Sequence, residues 1–274
     1  MKFNHQYTRS HQDGFTLVEI MIGLVIGMLA TLVIVQVMSV FETQKRSTTG
    51  TADAQTSGGI ALYNVGRELK LAGYPLMPTG FPSVADSPLE CTSLNGAADT
   101  TNITPVLITN GVAAAGVSAS DTITIRYGNS LTGGIPRTIG AAPVGRAISV
   151  GNNFGCQNDD VVMITNGAAC AMTRLAPETE TPAAVTGTTT VNLMSTEIVP
   201  AAAVAGADLS CIGTWNTITY AVVNGNLQRN GADSVAGIVN IQAQYGISTT
   251  VNDNQINAWV DATGIWAPTA LALT

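Results

Sequence analysis

An apolar run over residues 15–40 constrains this chain more than any other feature of its sequence. Its only charged residue is Glu19. A helix over the run would be about 39 Å long at about 1.5 Å per residue, enough to cross a hydrocarbon core of about 30 Å. Gly23 and Gly27, four residues apart, would let a second helix approach closely. A carboxylate inside such a helix is costly when unpaired, so we expect Glu19 to have a functional partner.

Two simple explanations of this segment compete with a functional one. A secretory signal peptide would have an apolar region of about 7–15 residues followed by a small-residue cleavage site. Here the run is longer, and the nearest Ala-x-Ala triplet, at 52–54, lies beyond the basic pair Lys45-Arg46. A plain single-span anchor would explain the length but neither Glu19 nor the glycine that precedes the run.

The stretch GFTLVEIMIGLVIG, which starts at Gly14, resembles the leader junction of type IV pilins and their relatives. In that family a prepilin peptidase cuts after the glycine and methylates the new N-terminal residue. The resemblance implies that residues 1–14 are a leader, that cleavage falls between Gly14 and Phe15, and that Phe15 is N-methylated. It also implies that Glu19 pairs with the α-amino group of a neighbouring subunit in a filament. The leader departs from the family in its length and in Asp13, which bears on cleavage efficiency.

The rest of the chain is predicted as three segments: a transmembrane and filament-core helix over 15–40, an amphipathic helix and linker over 41–74, and a β-rich domain over 75–274. Apolar positions of the amphipathic helix are Ile60, Tyr63, Leu69 and Leu71, and polar ones are Glu68 and Lys70.

Four glycines weaken the middle of this predicted helix. Each costs about 1 kcal/mol relative to alanine, which predicts a bent or partly melted stretch before a firm helix over 60–72. Gly73 and Pro75 are typical of a helix end. The four glycines are Gly50, Gly58, Gly59 and Gly66.

Beyond residue 75 the sequence has the pattern of a β domain. The stretch at 217–230 alternates, turns at Asn224-Gly225 and returns, which predicts a hairpin. The alanine-rich stretches at 110–120 and 200–210 predict surface loops. The fold class is therefore α+β, with a long N-terminal helix packed on an antiparallel β-sheet domain. Further strands are predicted at 103–109, 122–128, 160–165, 188–194 and 237–247.

All four cysteines follow the membrane segment: Cys91, Cys156, Cys170 and Cys211. An even number in an exported domain predicts two disulfides, with three possible pairings. Pairing Cys156 with Cys170 would leave Cys91 for Cys211. A strand between Cys156 and Cys170 would hold them roughly 15–20 Å apart unless the chain doubles back, so the pairing stays open. A zinc site is disfavoured because no C-x-x-C spacing occurs.

Composition excludes several functions for the exported domain. From residue 71 onward acidic residues outnumber basic ones thirteen to five, against general nucleic-acid binding. A local basic groove formed by Arg126, Arg137 and Arg146 is less favoured than the alternative that these are separate, solvated arginines. Both histidines fall in the leader, so histidine-dependent catalysis and His-ligated zinc are not expected.

The remaining acidic candidates are also weak. The Asp159-Asp160 pair is predicted to lie in a loop. The Asp- and Asn-rich stretch at 251–259 lacks EF-hand spacing and is predicted to be a polar turn rather than a calcium site. The three tryptophans, Trp215, Trp259 and Trp266, are predicted to pack in the core or a hairpin. We therefore expect no enzyme, no cofactor and no metal.

Scattered downstream matches narrow the resemblance. RELKLAGY at 67–74, YAVVNGNLQR at 220–229, IQAQYGI at 241–247 and WVDATG at 259–264 resemble the PilW family of minor pilins. That group also resembles minor pseudopilins of type II secretion. The resemblance implies a structural subunit that primes pilus assembly in a tip complex with other minor pilins, the major pilin and an adhesin. A type II pseudopilin, or a tip module binding DNA or surfaces, is the alternative.

The same resemblance implies a location and a set of processes. The protein would sit in the inner membrane by a single span with a periplasmic domain, and then in a pilus on the cell surface serving adhesion and twitching motility. The ending APTALALT supplies no closing strand, the pattern expected of a chain truncated at its C-terminus.

Overall fold

The computed structural model describes residues 14–76, 90–92, 100–112, 119–167, 169–180, 189–250 and 255–268. The chain divides into two compact units, Met1–Thr56 and Ser57–Thr274. From Leu17 onward the first unit is helical, and the second contains the end of that helix and the β domain. A long N-terminal helix with an antiparallel β-sheet domain confirms the predicted α+β class.

Helix α1 (Leu17–Leu69) is continuous, so the expected partly melted stretch is wrong. Threonine hydroxyls in this region stay inside the helix: Thr48 donates to the Gln44 carbonyl at 2.9 Å, and Thr49 to the Lys45 carbonyl at 2.8 Å. These bonds satisfy polar side chains without interrupting the helix. Propensity penalties at single glycines are small beside the cooperativity of a long helix.

The helix ends at Leu69, earlier than predicted, and the chain then turns onto the sheet. Gly73 has φ +76°, and its amide donates to the Arg126 carbonyl at 2.9 Å. A Cβ at Gly73 would lie 3.1 Å from Pro105 Cγ. Glycine is therefore favoured at this position both by backbone conformation and by the close approach of Pro105.

Fifteen strands are present in the described residues. They are β1 (Glu90–Thr92), β2 (Thr100–Asn102), β3 (Val106–Thr109), β4 (Thr122–Tyr127), β5 (Arg137–Thr138), β6 (Ala147–Ser149), β7 (Val161–Thr165), β8 (Cys170–Arg174), β9 (Thr190–Asn192), β10 (Asp208–Gly213), β11 (Asn216–Val223), β12 (Asn226–Arg229), β13 (Ala232–Ala236), β14 (Tyr245–Ile247) and β15 (Ala258–Val260), followed by a short 3-10 helix, Gly264–Trp266.

The strands form two main sheets and two ribbons. A five-stranded antiparallel sheet has the order β13-β12-β11-β4-β3, and a six-stranded sheet has the order β2-β1-β8-β7-β10-β5. In the larger sheet only the β1–β8 contact is parallel. The ribbons are β6–β9 and β14–β15.

Strand β7 lies at the centre of the core because both of its faces are covered. Val161 and Met163 join one buried cluster with Trp215 at its margin, while Val162 and Ile164 join a second. All five residues of β7 are buried, which explains its continuous apolar sequence. A third cluster places helix α1 on the five-stranded sheet.

Most predicted strands are confirmed, in shortened form. The hairpin is confirmed: β11 and β12 join at Asn224 and Gly225, with φ values of 51° and 77°. These left-handed conformations are those of a type I′ turn.

The prediction for 237–247 is largely wrong, because only β14 is a strand and β13 was missed. The segment before β14 is held by the buried carboxylate of Asp121, which accepts from the Ala243 amide at 2.8 Å. The same carboxylate accepts from the Gly111 amide at 2.9 Å.

The alanine-rich stretch at 200–210 is not a surface loop. Ala202, Ala203 and Ala207 are buried in the same cluster as Leu209, and β10 begins at Asp208. Small side chains suit this place because the chain packs closely against the large sheet. Of the other predicted loop, 113–118 lies outside the described residues.

The disulfides join Cys91 to Cys170 and Cys156 to Cys211, so the pairing of Cys156 with Cys170 is wrong. Strand β7 separates those two residues by about 17 Å of extended chain, and Cys170 lies opposite the far end of β7. Cys170 instead meets Cys91 across the parallel β1–β8 contact. The two disulfides therefore link strands or loops that are distant in sequence.

Glu68 is the principal polar contact between helix α1 and the five-stranded sheet. It is only 3% exposed, although the sequence indicated a polar surface position. Its carboxylate accepts from the Tyr127 hydroxyl at 2.6 Å and from Arg229 Nη2 at 3.0 Å. Burial raises the pKa of Glu68, but these hydrogen bonds and the charges of Arg229 and Arg67 outweigh burial and hold the pKa below its ordinary value.

Replacing Glu68 by alanine should lower the free energy of unfolding by about 2–3 kcal/mol, because Tyr127 and Arg229 lose their partner. Urea unfolding of the full chain in detergent, followed by tryptophan fluorescence, measures the change. The exposed Glu42→Gln is the control and should change stability by less than about 0.5 kcal/mol. An alanine variant as stable as the parent would contradict a stabilising role.

The contribution of Glu68 should also depend on pH. Its folded pKa lies below its unfolded value, so its stabilisation is complete above the unfolded pKa and is lost as the pH falls through the folded pKa. Glu68→Gln should therefore be less stable than the parent at pH 7 and approach it in strong acid. A stability difference that stays constant from pH 7 to pH 3 would contradict this assignment.

Candidate functional site

The N-terminal end of helix α1 is built around Thr16. The amides of Glu19 and Ile20 donate to the Thr16 carbonyl at 3.0 and 3.3 Å, and the Glu19 amide also lies 3.4 Å from the Thr16 hydroxyl. Thr16 is thus the N-cap, and Glu19 lies in the first turn, where a negative charge is favoured by the helix dipole. The T-x-x-E spacing of Thr16 and Glu19 is the sequence signal of such a cap, which was not among the predicted features.

Gly14 precedes this cap with no structural need for glycine. Nothing lies within 4 Å of a Cβ built on Gly14, and the same is true of Gly23 and Gly27 inside the helix. A glycine required by the fold would show a close neighbour or a positive φ. The fold of the described residues therefore does not require glycine at these three positions.

The apolar part of helix α1 is exposed along its whole length in the first unit. It is the one helix, within the described residues, that is long and apolar enough to cross a membrane. Phe15, Leu17 and Val18 at its start are as uncovered as Val40 and Phe41 further on. An apolar surface of this extent needs lipid or other protein chains around it.

Exposed apolar side chains recur on the helix residues of the second unit, after the polar stretch at 42–59. Ile60, Leu62 and Tyr63 are exposed, Tyr63 by 70%, while Ala61 and Val65 pack on the five-stranded sheet. The predicted amphipathic face is therefore wrong: the small side chains face the sheet and the large ones face outward. Leu69 and Leu71 are also mainly exposed.

The three arginines of the candidate basic groove are used in holding loops. Arg126 donates to the Thr104 carbonyl at 3.2 Å, and Arg146 to the Glu197 carbonyl at 3.1 Å. Arg137 is buried and donates to the carbonyls of Ile135 and Phe154. Burial lowers the pKa of Arg126 and of Arg137. Guanidinium groups bound to backbone carbonyls in this way do not indicate a phosphate-binding surface.

The paired aspartates lie in the turn before β7, as predicted. Asp159 has φ +69° and forms an ion pair with Arg174 at 3.7 Å. Asp160 accepts from the Gln157 amide at 2.8 Å, and burial, with the charge of Asp159, raises its pKa. Both carboxylates stabilise the turn.

No group of three or more His, Cys, Asp or Glu that could hold a metal is present in the described residues. Of the calcium candidate at 251–259, residues 251–254 lie outside the described part, and the end of the stretch enters β15.

The tryptophans divide into two kinds. Trp215 packs against a buried cluster, and Trp266 contacts the Tyr245 ring at a centroid distance of 6.4 Å. Both agree with the packing predicted for them. Trp259, on β15, is 64% exposed and therefore outside the core, and it lies opposite Gly246 in the antiparallel β14–β15 ribbon.

Residues 9–35 match the prokaryotic N-terminal methylation motif. No curated protein and no solved structure matches the chain. The matched motif is the leader of type IV pilins and pseudopilins, and it contains Gly14, Phe15 and Glu19. It supports a type IV pilin or pseudopilin, implies processing by a prepilin peptidase and assembly with pilins, and is consistent with inner-membrane anchoring through helix α1.

Substitutions on the two faces of helix α1 should separate folding from assembly. Val65→Ala should lower the free energy of unfolding by about 1–3 kcal/mol, because it leaves a cavity on the five-stranded sheet. Tyr63→Ala should change it by less than about 0.5 kcal/mol, because the ring is exposed. Urea unfolding of both variants in detergent checks the difference. Equal destabilisation would show that Tyr63 is covered in the folded chain.

Proposed function

We propose that this protein is a minor type IV pilin that primes pilus assembly in a tip complex with other minor pilins. The observation that carries the proposal is helix α1 itself, which follows the junction of the methylation motif and exposes apolar side chains as far as Phe41 and again at Ile60, Leu62 and Tyr63. A plain membrane anchor has no use for exposed apolar residues as far along as Leu62 and Tyr63. A subunit that packs its helix against other helices does.

The proposal assigns each segment a role. Residues 1–14 are removed as a leader, 15–40 span the inner membrane and later the filament core, 41–74 continue as helix and linker, and 75–274 form the periplasmic domain. A domain with two sheets and two disulfides is large for a repeating filament subunit and suits a minor one. The protein carries out no chemistry of its own, and its partners are prepilin peptidase, other minor pilins, the major pilin and a tip adhesin.

A minor pseudopilin of a type II secretion system is the second candidate. The matched motif favours it equally, because pilins and pseudopilins share that leader. Deletion of the gene distinguishes the two functions, since loss of pili supports the first and loss of protein secretion with intact pili supports the second.

Coexpression with an active prepilin peptidase should yield a product that begins at N-methylated Phe15, as read by mass spectrometry of the intact protein. Gly14→Val should block cleavage, because the valine side chain would stand beside the bond that the peptidase must reach. The fold itself leaves the space around Gly14 open. Gly27→Val is the matched control, since it changes a glycine inside the helix and leaves the junction intact. A full-length wild-type chain beside an active peptidase would refute entry into the pilin pathway.

Glu19→Gln should be processed normally but incorporated poorly into assembled pili, because the α-amino group of Phe15 in a neighbouring subunit loses its carboxylate. The readout is the fraction of this subunit in sheared pili, with cleavage measured in the same cells. Glu42→Gln, on the same helix, is the control and should assemble as the parent does.

Thr16→Ala separates docking from helix capping, because it weakens the cap while keeping the Glu19 charge. If Thr16→Ala reduces incorporation as strongly as Glu19→Gln, the role of Glu19 is to stabilise the helix end rather than to dock subunits.

A further inference from the structure

The β14–β15 ribbon presents an exposed aromatic side chain, Trp259. Trp259 pairs with Gly246 across the ribbon. A Cβ on Gly246 would lie 3.1 Å from Trp259 Cζ3 and 3.0 Å from Ile256 Cδ1. The glycine therefore lets the indole and Ile256 lie close over the backbone, and both side chains remain more than half exposed.

Polar groups border this apolar strip at both ends. Gln244 and Asp261 are the next pair along the same face, and Gln244 Nε2 donates to Asp261 Oδ1 at 2.8 Å. Toward the other end, Asn257 Oδ1 accepts from the Thr249 amide at 3.0 Å. These residues flank the paired strands, and the register of the ribbon, extended by one residue at each end, places Gln244, Asp261 and Asn257 on the side of Trp259. The face combines an aromatic surface with hydrogen-bonding groups held by their neighbours.

The part of the sequence that forms the ribbon has no positive charge to bind an anionic ligand. After Arg229 the sequence contains no Lys, Arg or His, but it contains Asp233, Asp253 and Asp261. A nucleic acid or a sulfated polymer needs basic residues to replace its counterions, and aromatic stacking alone does not supply them. The ligand that fits is neutral, with an apolar face for the indole and hydroxyl groups for the amides and the carboxylate.

We propose that the face formed by Trp259, Gly246, Gln244 and Asp261 binds neutral β-1,4-linked polysaccharides. In such chains the ring substituents are equatorial, so the C–H bonds form flat surfaces whose partial positive charge meets the negative face of the indole. Hydroxyl groups at the ring edge then reach Gln244 and Asp261. This activity goes beyond the proposed role in assembly and requires no assembled pilus.

The test uses the full-length protein in a detergent that contains no sugar headgroup, because alkyl glycosides would compete. Cellohexaose and chitohexaose are titrated by calorimetry, and retention on insoluble cellulose and chitin gives a second, multivalent readout. Trp259→Ala should weaken binding at least about fivefold and Trp259→Phe less, because phenylalanine retains a smaller ring. Leu131→Ala, which removes an exposed apolar side chain away from the ribbon, is the control and should bind as the parent does.

Several results would overturn the proposal. Failure of both oligosaccharides and both polymers to bind the parent protein would do so, and so would binding that Trp259→Ala leaves unchanged. Oligo(dT) bound through Trp259 would indicate a nucleic-acid site instead. If Trp259→Ala lost binding to another pilin while the parent bound no sugar, the face would be a protein interface. Unchanged leader cleavage and pilus assembly in Trp259→Ala keep this question separate from the proposed function.

Discussion

The exposed apolar surface of helix α1 is the main constraint on the surroundings in which this protein is stable. No residue of the helix before Ala61 is buried, and the residues that do pack on the sheet are small. Lipid can cover the first part of such a helix. Beyond the polar stretch at 42–59, Leu62 and Tyr63 also point outward and are not covered by the β domain. Within the second unit, Ala61 and Val65 join the apolar cluster of the five-stranded sheet, and Glu68 adds hydrogen bonds to Tyr127 and Arg229.

Glu68 makes that contact specific. Ala61 and Val65 give the helix a narrow apolar footprint that would fit the sheet in more than one register. A buried carboxylate that must meet both Tyr127 and Arg229 permits only one, because an unpaired charge at the interface is costly. Neither disulfide links residues of this interface. Both cross-link residues in or beside the six-stranded sheet.

Sequence reasoning recovered the features that are encoded locally. The apolar run, the Asn224-Gly225 turn and the strand pattern of β4 and β7 depend on neighbouring residues, and each is present. Glu68 could not be read correctly because Tyr127 and Arg229 lie 59 and 161 positions away in sequence. Helical periodicity placed Tyr63 among the packed apolar positions, but Ala61 and Val65 face the sheet and Tyr63 is exposed, because periodicity alone does not show which face the domain covers.

Errors elsewhere have similar causes. The pairing of Cys91 with Cys170 depends on a parallel contact between β1 and β8, which no local sequence pattern predicts. The alanines near Ala202 are buried because the chain there runs close to the large sheet, where longer side chains would not fit. At the candidate site, the glycines at 14, 23 and 27 were noticed for their spacing, and the structure adds that the fold itself does not need them.

The interleaving of the two disulfides has a mechanical consequence. The loop closed by Cys91–Cys170 overlaps the loop closed by Cys156–Cys211, so the chain between Cys91 and Cys211 is one cross-linked block. A pulling force on helix α1 would first load Glu68 and the Gly73 turn, and could next detach the five-stranded sheet. The block would resist full extension even then. A subunit under tension would thus lengthen by a limited amount and keep the folded centre from which its structure can re-form.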